Sequence, residues 1–138
     1  KVQHQSKDNP VFYVHYAYAR CKSIIRMSNI EEEKINIQNI YLLKNDEDIN
    51  LIKLISQWPR VLESSAKYME PHRICFYLIE LASEFHSLWN KGKMDDDFKF
   101  INNNDIEFTH SKLALIKSIS VTIKSAFKIL SIEPMESM

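Results

Sequence analysis

Apolar residues return every three or four positions through most of this chain, and polar punctuation cuts the pattern into helical segments. Over residues 10 to 28, Val11, Val14, Tyr18, Cys21 and Ile25 fall within about 80° on a helical wheel, which predicts one buried stripe. Asp8 or Asn9 can cap this helix, and Pro10 suits its first turn, where a backbone N–H would be unsatisfied anyway. A second helix is expected from Asn45 or Asp46 to about Gln57, stopped by Trp58-Pro59. A third, from Pro59 to Met69, puts Val61, Leu62, Ala66 and Met69 on one side. Glu70-Pro71 opens a fourth, with Ile74, Leu78, Leu81, Phe85 and Leu88 as its apolar set and Gly92 just past its end. The last begins near Thr109 or Ser111 and runs to about Ser131, its stripe formed by Ile116, Ile119, Ile123, Ala126, Phe127 and Leu130. Residues 29–44 are ambiguous, since Ile35 and Ile37 suit a strand or a helix. Residues 93–108 read as a polar loop. The pattern predicts an all-α bundle of about five helices.

Composition narrows the function classes. A single glycine, Gly92, in 138 residues excludes P-loops and dinucleotide-binding turns, which need glycine where backbone approaches phosphate. Eighteen basic and eighteen acidic residues leave no net charge, so any nucleic-acid contact must come from a local patch. No stretch nears the roughly 20 apolar residues a bilayer requires, and the opening KVQHQSKDNP has no apolar core of the secretory kind. A soluble cytoplasmic protein is expected, with Cys21 and Cys75 as reduced, buried thiols. The chain begins at Lys1, and residues 1–9 read as the end of an upstream segment before a helical domain of residues 10–138. The expectation is a fragment of a longer protein.

Tyr13, Tyr16 and Arg20 form a second stripe on the first helix, well over 100° from the core stripe. A helix buried on both sides would explain it; so would a stacking platform for unpaired bases with a cation for phosphate. Phe85 and Trp89, one turn apart and followed by Lys91 and Lys93, repeat the pairing of rings with cations. Lys117, Lys124 and Lys128 share a face that reads as solvated. His72 and Cys75 could supply two metal ligands or a thiol nucleophile, but no second pair stands at ligand spacing and no oxyanion-forming loop is visible. Glu31 to Glu33, Asp46 to Asp48 and Asp95 to Asp97 read as solvated runs, so no catalytic apparatus emerges.

NPVFYVHYAYAR, at residues 9–20, resembles the start of the C-terminal anticodon-binding domain of arginyl-tRNA synthetases, the DALR type. EPHRICFYLIELASEFHSLWNK (residues 70–91) and KLALIKSISVTIKSAFKILSIEPMESM continue the resemblance in order. It implies a tRNA-binding module, selective for arginine-specific tRNA, from a class I ligase that charges tRNA using ATP with magnesium. Catalysis and ATP would belong to a portion absent here, with no cofactor in this fragment, no membrane contact and a monomeric state. By position the family's anticodon pocket falls on Tyr13, Tyr16, Arg20, Phe85, Trp89 and Met138, the last taken as the chain's end. His15 stands for the usual glutamine, Tyr18 for the usual histidine, and Ser137 where arginine is frequent. A helical protein–protein interaction domain without RNA binding is the second reading, supported by the neutral charge.

Overall fold

Asn9 starts the first helix, its side chain accepting the Phe12 N–H at 3.3 Å, and Pro10 follows in the first turn. In the computed structural model residues 9–138 are described; the upstream-segment reading and the Asp8 capping alternative concern residues outside the described ones. Helix α1 (Pro10–Met27) buries Val14, Tyr18, Cys21 and Ile25 as its wheel predicts. Val11 is instead exposed: α5 (Ile106–Ile129) has already ended at that level, and Val11 lines a shallow groove with Cys75 and Ile132.

Helix α2 (Asp46–Ser56) is capped by Asn45, which accepts the Asp48 N–H at 2.8 Å. Helix α3 (Trp58–Tyr68) carries Pro59 in its first turn and ends on Met69, whose φ of 54° is left-handed. Met69 therefore serves as the helix terminus and is exposed, not part of an apolar face, and Ala66 is exposed too. Helix α4 (His72–Met94) buries all five residues of its expected stripe and extends past Gly92. Gly92 is thus inside the helix. The reason is close approach: a Cβ there would lie 2.7 Å from the Phe98 carbonyl oxygen, in the short 3₁₀ turn Asp96–Phe98 that folds back on α4.

Helix α5 starts earlier than the wheel suggests, because Asp105 caps it by accepting the Phe108 N–H at 3.0 Å. It is the central element, buried on most sides, with Leu113, Leu115, Ile116, Ile119, Ile123 and Phe127 in the core against α1, α2 and α4. Each such side chain contributes about 1.5–3 kcal/mol on leaving water. Residues 29–44 are neither strand nor α-helix; two 3₁₀ turns, Glu32–Lys34 and Ile37–Leu42, lay Ile35 and Leu43 into the core. Lys117 fastens the first of these, donating to the carbonyls of Glu32 (2.9 Å) and Ile35 (3.1 Å), so it belongs to a structural joint and not to a solvated face.

The acidic run Asp46 to Asp48 is likewise divided. Asp48 is fully buried and accepts from the equally buried Lys112 at 2.7 Å, tying α2 to α5. Cys21 is buried, which pushes its thiol far above the ordinary range, whereas Cys75 lies on the exposed side of α4. Among the described residues no strand forms, and no helix is long and apolar enough to cross a membrane.

Candidate nucleic-acid interface

The second stripe of α1 meets the C-terminal half of α4, and the two helices set their rings and cation into one stack. The Arg20 guanidinium carbon lies 4.9 Å from the centroids of both Tyr16 and Trp89, and its Nη2 donates to the Tyr16 hydroxyl at 2.6 Å. Trp89 in turn lies parallel to Phe100, with 6° between planes and 5.9 Å between centroids. Phe100 comes from residues 93–108, so the segment that reads as a polar loop supplies the backing of the platform. Each ring–cation contact of this kind is worth about 0.5–2 kcal/mol and holds Arg20 against the rings.

Met138 lines the same cavity as Tyr16, Arg20 and Trp89, a space of about 300 Å³. Tyr13 sits one turn back, half-buried, its ring 4.8 Å from that of His86. Phe85 differs from the others: it is fully buried, packed on His86 and Phe100, and supports the platform from beneath without reaching its surface. The structure therefore gathers Tyr16, Arg20, Trp89 and Met138 at one surface, with Tyr13 beside them and Phe85 below.

His86 is the residue sequence reasoning misses, though it stands at i, i+3 to Trp89 on the same helix. Its ring is wedged between Tyr13, Phe85 and the edge of Tyr16. Burial, reinforced by the Arg20 charge and opposed by a backbone contact from Tyr13, pushes its pKa down to about 4, so a neutral imidazole sits under the platform. Three buried side-chain polar atoms lack a partner among the described residues, and two of them, His86 Nε2 and Trp89 Nε1, are in this stack. Unpaired buried polar atoms are uncommon and concentrate where a ligand completes the bonding.

A second, mostly apolar cavity of about 220 Å³ shares Ile24, Met27 and Trp89 with the first and is lined also by Phe100 and Ile101. Four cations, Arg20, Arg26, Lys93 and Lys99, line the two cavities, and among the described residues no Asp or Glu side chain does. Lys99 is paired with the exposed Asp96, and Lys91 with Glu47, whereas no carboxylate among the described residues pairs with Arg20, Arg26 or Lys93. A neutral chain thus concentrates positive charge where its rings are presented. His72 pairs with Glu70 at 3.7 Å, and no group of three potential metal ligands converges among the described residues.

Residues 14–138 match the family model of the DALR anticodon binding domain. The chain belongs to the DALR anticodon-binding domain family. Across its whole length it is 45% identical to an arginine–tRNA ligase of Rickettsia bellii and 46% identical to that of Rickettsia typhi, and it spans about a quarter of each relative's length (25%). A crystal structure assigned as an arginyl-tRNA synthetase from Campylobacter jejuni shares the fold, with a TM-score of 0.80 over 99% of this chain and 28% of that one at 24% identity. Within this DALR domain the expected pocket residues come from α1, α4 and the segment after α5, and the loop before α5 adds Phe100.

Proposed function

We propose that this DALR domain grips the anticodon loop of an arginine-specific tRNA, as the anticodon-binding part of an arginine–tRNA ligase. The observation that supports this most is the Tyr16–Arg20–Trp89–Phe100 stack, with four cationic side chains and, among the described residues, no acidic one lining the two cavities it borders. Unpaired bases offer a π-face to Trp89 and Tyr16, each stack being worth about 1–3 kcal/mol. Arg20, held against both rings, has further N–H donors for base edges or phosphate, while Arg26 and Lys93 reach the backbone of the loop. His86, held neutral, adds no charge and leaves Nε2 without a partner among the described residues.

Arginine, ATP and magnesium would be handled by a catalytic portion of the parent enzyme outside this chain, in the cytoplasm. The module would act as a monomer. Electrophoretic binding of an arginine-specific tRNA against one with a mismatched anticodon tests the reading. Preference for the former, weakening with salt, is expected; equal or absent binding would favour a protein-docking role for the same exposed rings.

A further inference from the structure

Helix α5 closes its last turn on itself: Ser131 is left-handed, with φ 60°, and the Ile132 N–H donates to the Phe127 carbonyl at 2.8 Å. Two residues later Pro134 offers no N–H, and the first donor after it is that of Met135. That N–H is taken by Nδ1 of His15 on α1, at 3.2 Å. His15 is 5% exposed, its ring 4.8 Å from that of Phe127. Accepting at Nδ1 requires a neutral imidazole with its proton on Nε2, and burial, which lowers the pKa of His15, maintains that form.

We infer that His15 is a positioning residue whose imidazole latches the segment after α5, so that Met138 is held at the cavity formed with Tyr16, Arg20 and Trp89; the inference rests on the anticodon-loop reading. Geometry gives the latch its effect. From Met135 to Met138 the chain can span at most about 10 Å, whereas from Ile132, the previous fixed point, it spans about 20 Å. The effective concentration of a tethered group falls as about the −3/2 power of tether length or more steeply, up to the cube of its reach. Doubling the tether therefore dilutes Met138 about 3- to 8-fold at the cavity.

The resemblance places glutamine at this position, and a glutamine amide oxygen is also an acceptor, which supplies a rescue variant. The experiment is tRNA charging by the full-length parent enzyme carrying His15→Leu, His15→Gln, Met138→Gly and the His15→Leu/Met138→Gly pair, with Trp89→Ala as reference. His15→Leu keeps bulk against Phe127 without an acceptor. It should raise KM for tRNA about 3- to 8-fold and leave the charging rate at saturating tRNA unchanged; His15→Gln should restore KM, and His15→Leu should add nothing once Met138 is glycine. If His15→Leu does not fold, Met135→Pro removes the donor from the other side of the same hydrogen bond, outside the core, and carries the same expectation. Additive effects of the two substitutions overturn the latch, as does an unchanged KM in His15→Leu or Met135→Pro while Trp89→Ala raises it; either result leaves the site reading standing. An unchanged KM in Trp89→Ala as well removes that reading and the latch with it.

Discussion

Trp89 and Phe100 lie almost parallel, 6° apart, although one sits in the C-terminal half of a long helix and the other comes from the short connection that follows it. Phe100 is 3% exposed, and its other face reaches toward Phe85 at 6.3 Å. A rigid, buried ring behind the indole fixes the platform before any ligand arrives, which lowers the ordering cost of binding.

Removing that backing should loosen the indole. Phe100→Ala is expected to cost about 3–5 kcal/mol of stability, as a buried aromatic deletion does. In a Trp58→Phe background, where Trp89 is the reporter, its emission should shift red and become more accessible to acrylamide. An unshifted spectrum would mean that the indole is held by Arg20 alone.

The buried pair Asp48–Lys112 makes an asymmetric prediction. Lys112 lies 5.6 Å from the Phe100 ring centroid and 5.5 Å from that of Phe108, so it sits directly behind the platform. Lys112→Met leaves a carboxylate buried without its cation and should destabilise by about 3–5 kcal/mol, whereas Lys112→Met with Asp48→Leu should be much closer to wild type. Urea unfolding of the three proteins measures both numbers. Equal losses in single and double variants would contradict the assignment of the cost to an uncompensated charge.

Why some of this is legible along the chain and some is not follows from range. The Tyr13, Tyr16 and Arg20 stripe is set by helical period alone, and Asn9 and Asn45 act as caps through contacts three residues away. Asp48 and Lys112 are 64 positions apart, and nothing local distinguishes a buried carboxylate from its solvated neighbours Asp46 and Glu47. Phe100 is hidden for a similar reason: the polar residues around it are read correctly as a connection, while a single ring within it turns inward. Phe85 shows the converse, since its one-turn spacing to Trp89 suggests a shared surface, while its place on the buried stripe of α4 with Leu81 and Leu88 keeps it in the core. Gly92, read as a helix end, is required by the approach of Phe98, a contact that helical periodicity does not encode.

Stability should fall on acidification. His86 has its folded pKa pushed down to about 4 from an ordinary 6.5, and that of His15 is lowered as well, both chiefly by burial. Above about pH 6.5 both are neutral whether the chain is folded or not, so their contribution is complete. Between 6.5 and 4 the unfolded chain takes up protons that the folded one refuses, and stability drops with pH. The melting temperature should therefore decline from pH 7 to pH 4.5, and His86→Leu should flatten that decline. A pH-independent difference between the two proteins would rule out His86 as a source of it.

The central claim is that the ring–cation stack is an RNA-binding surface, and Trp89→Ala in the full-length parent enzyme tests it most directly. Equilibrium binding of arginine-specific tRNA should weaken by about 1–3 kcal/mol, roughly 5- to 150-fold, with much of the preference over a mismatched anticodon lost. The charging rate at saturating tRNA and the thermal unfolding of the rest of the enzyme should stay as they were. Affinity and anticodon preference equal to those of the unaltered enzyme, in a variant shown to be folded, would contradict the claim.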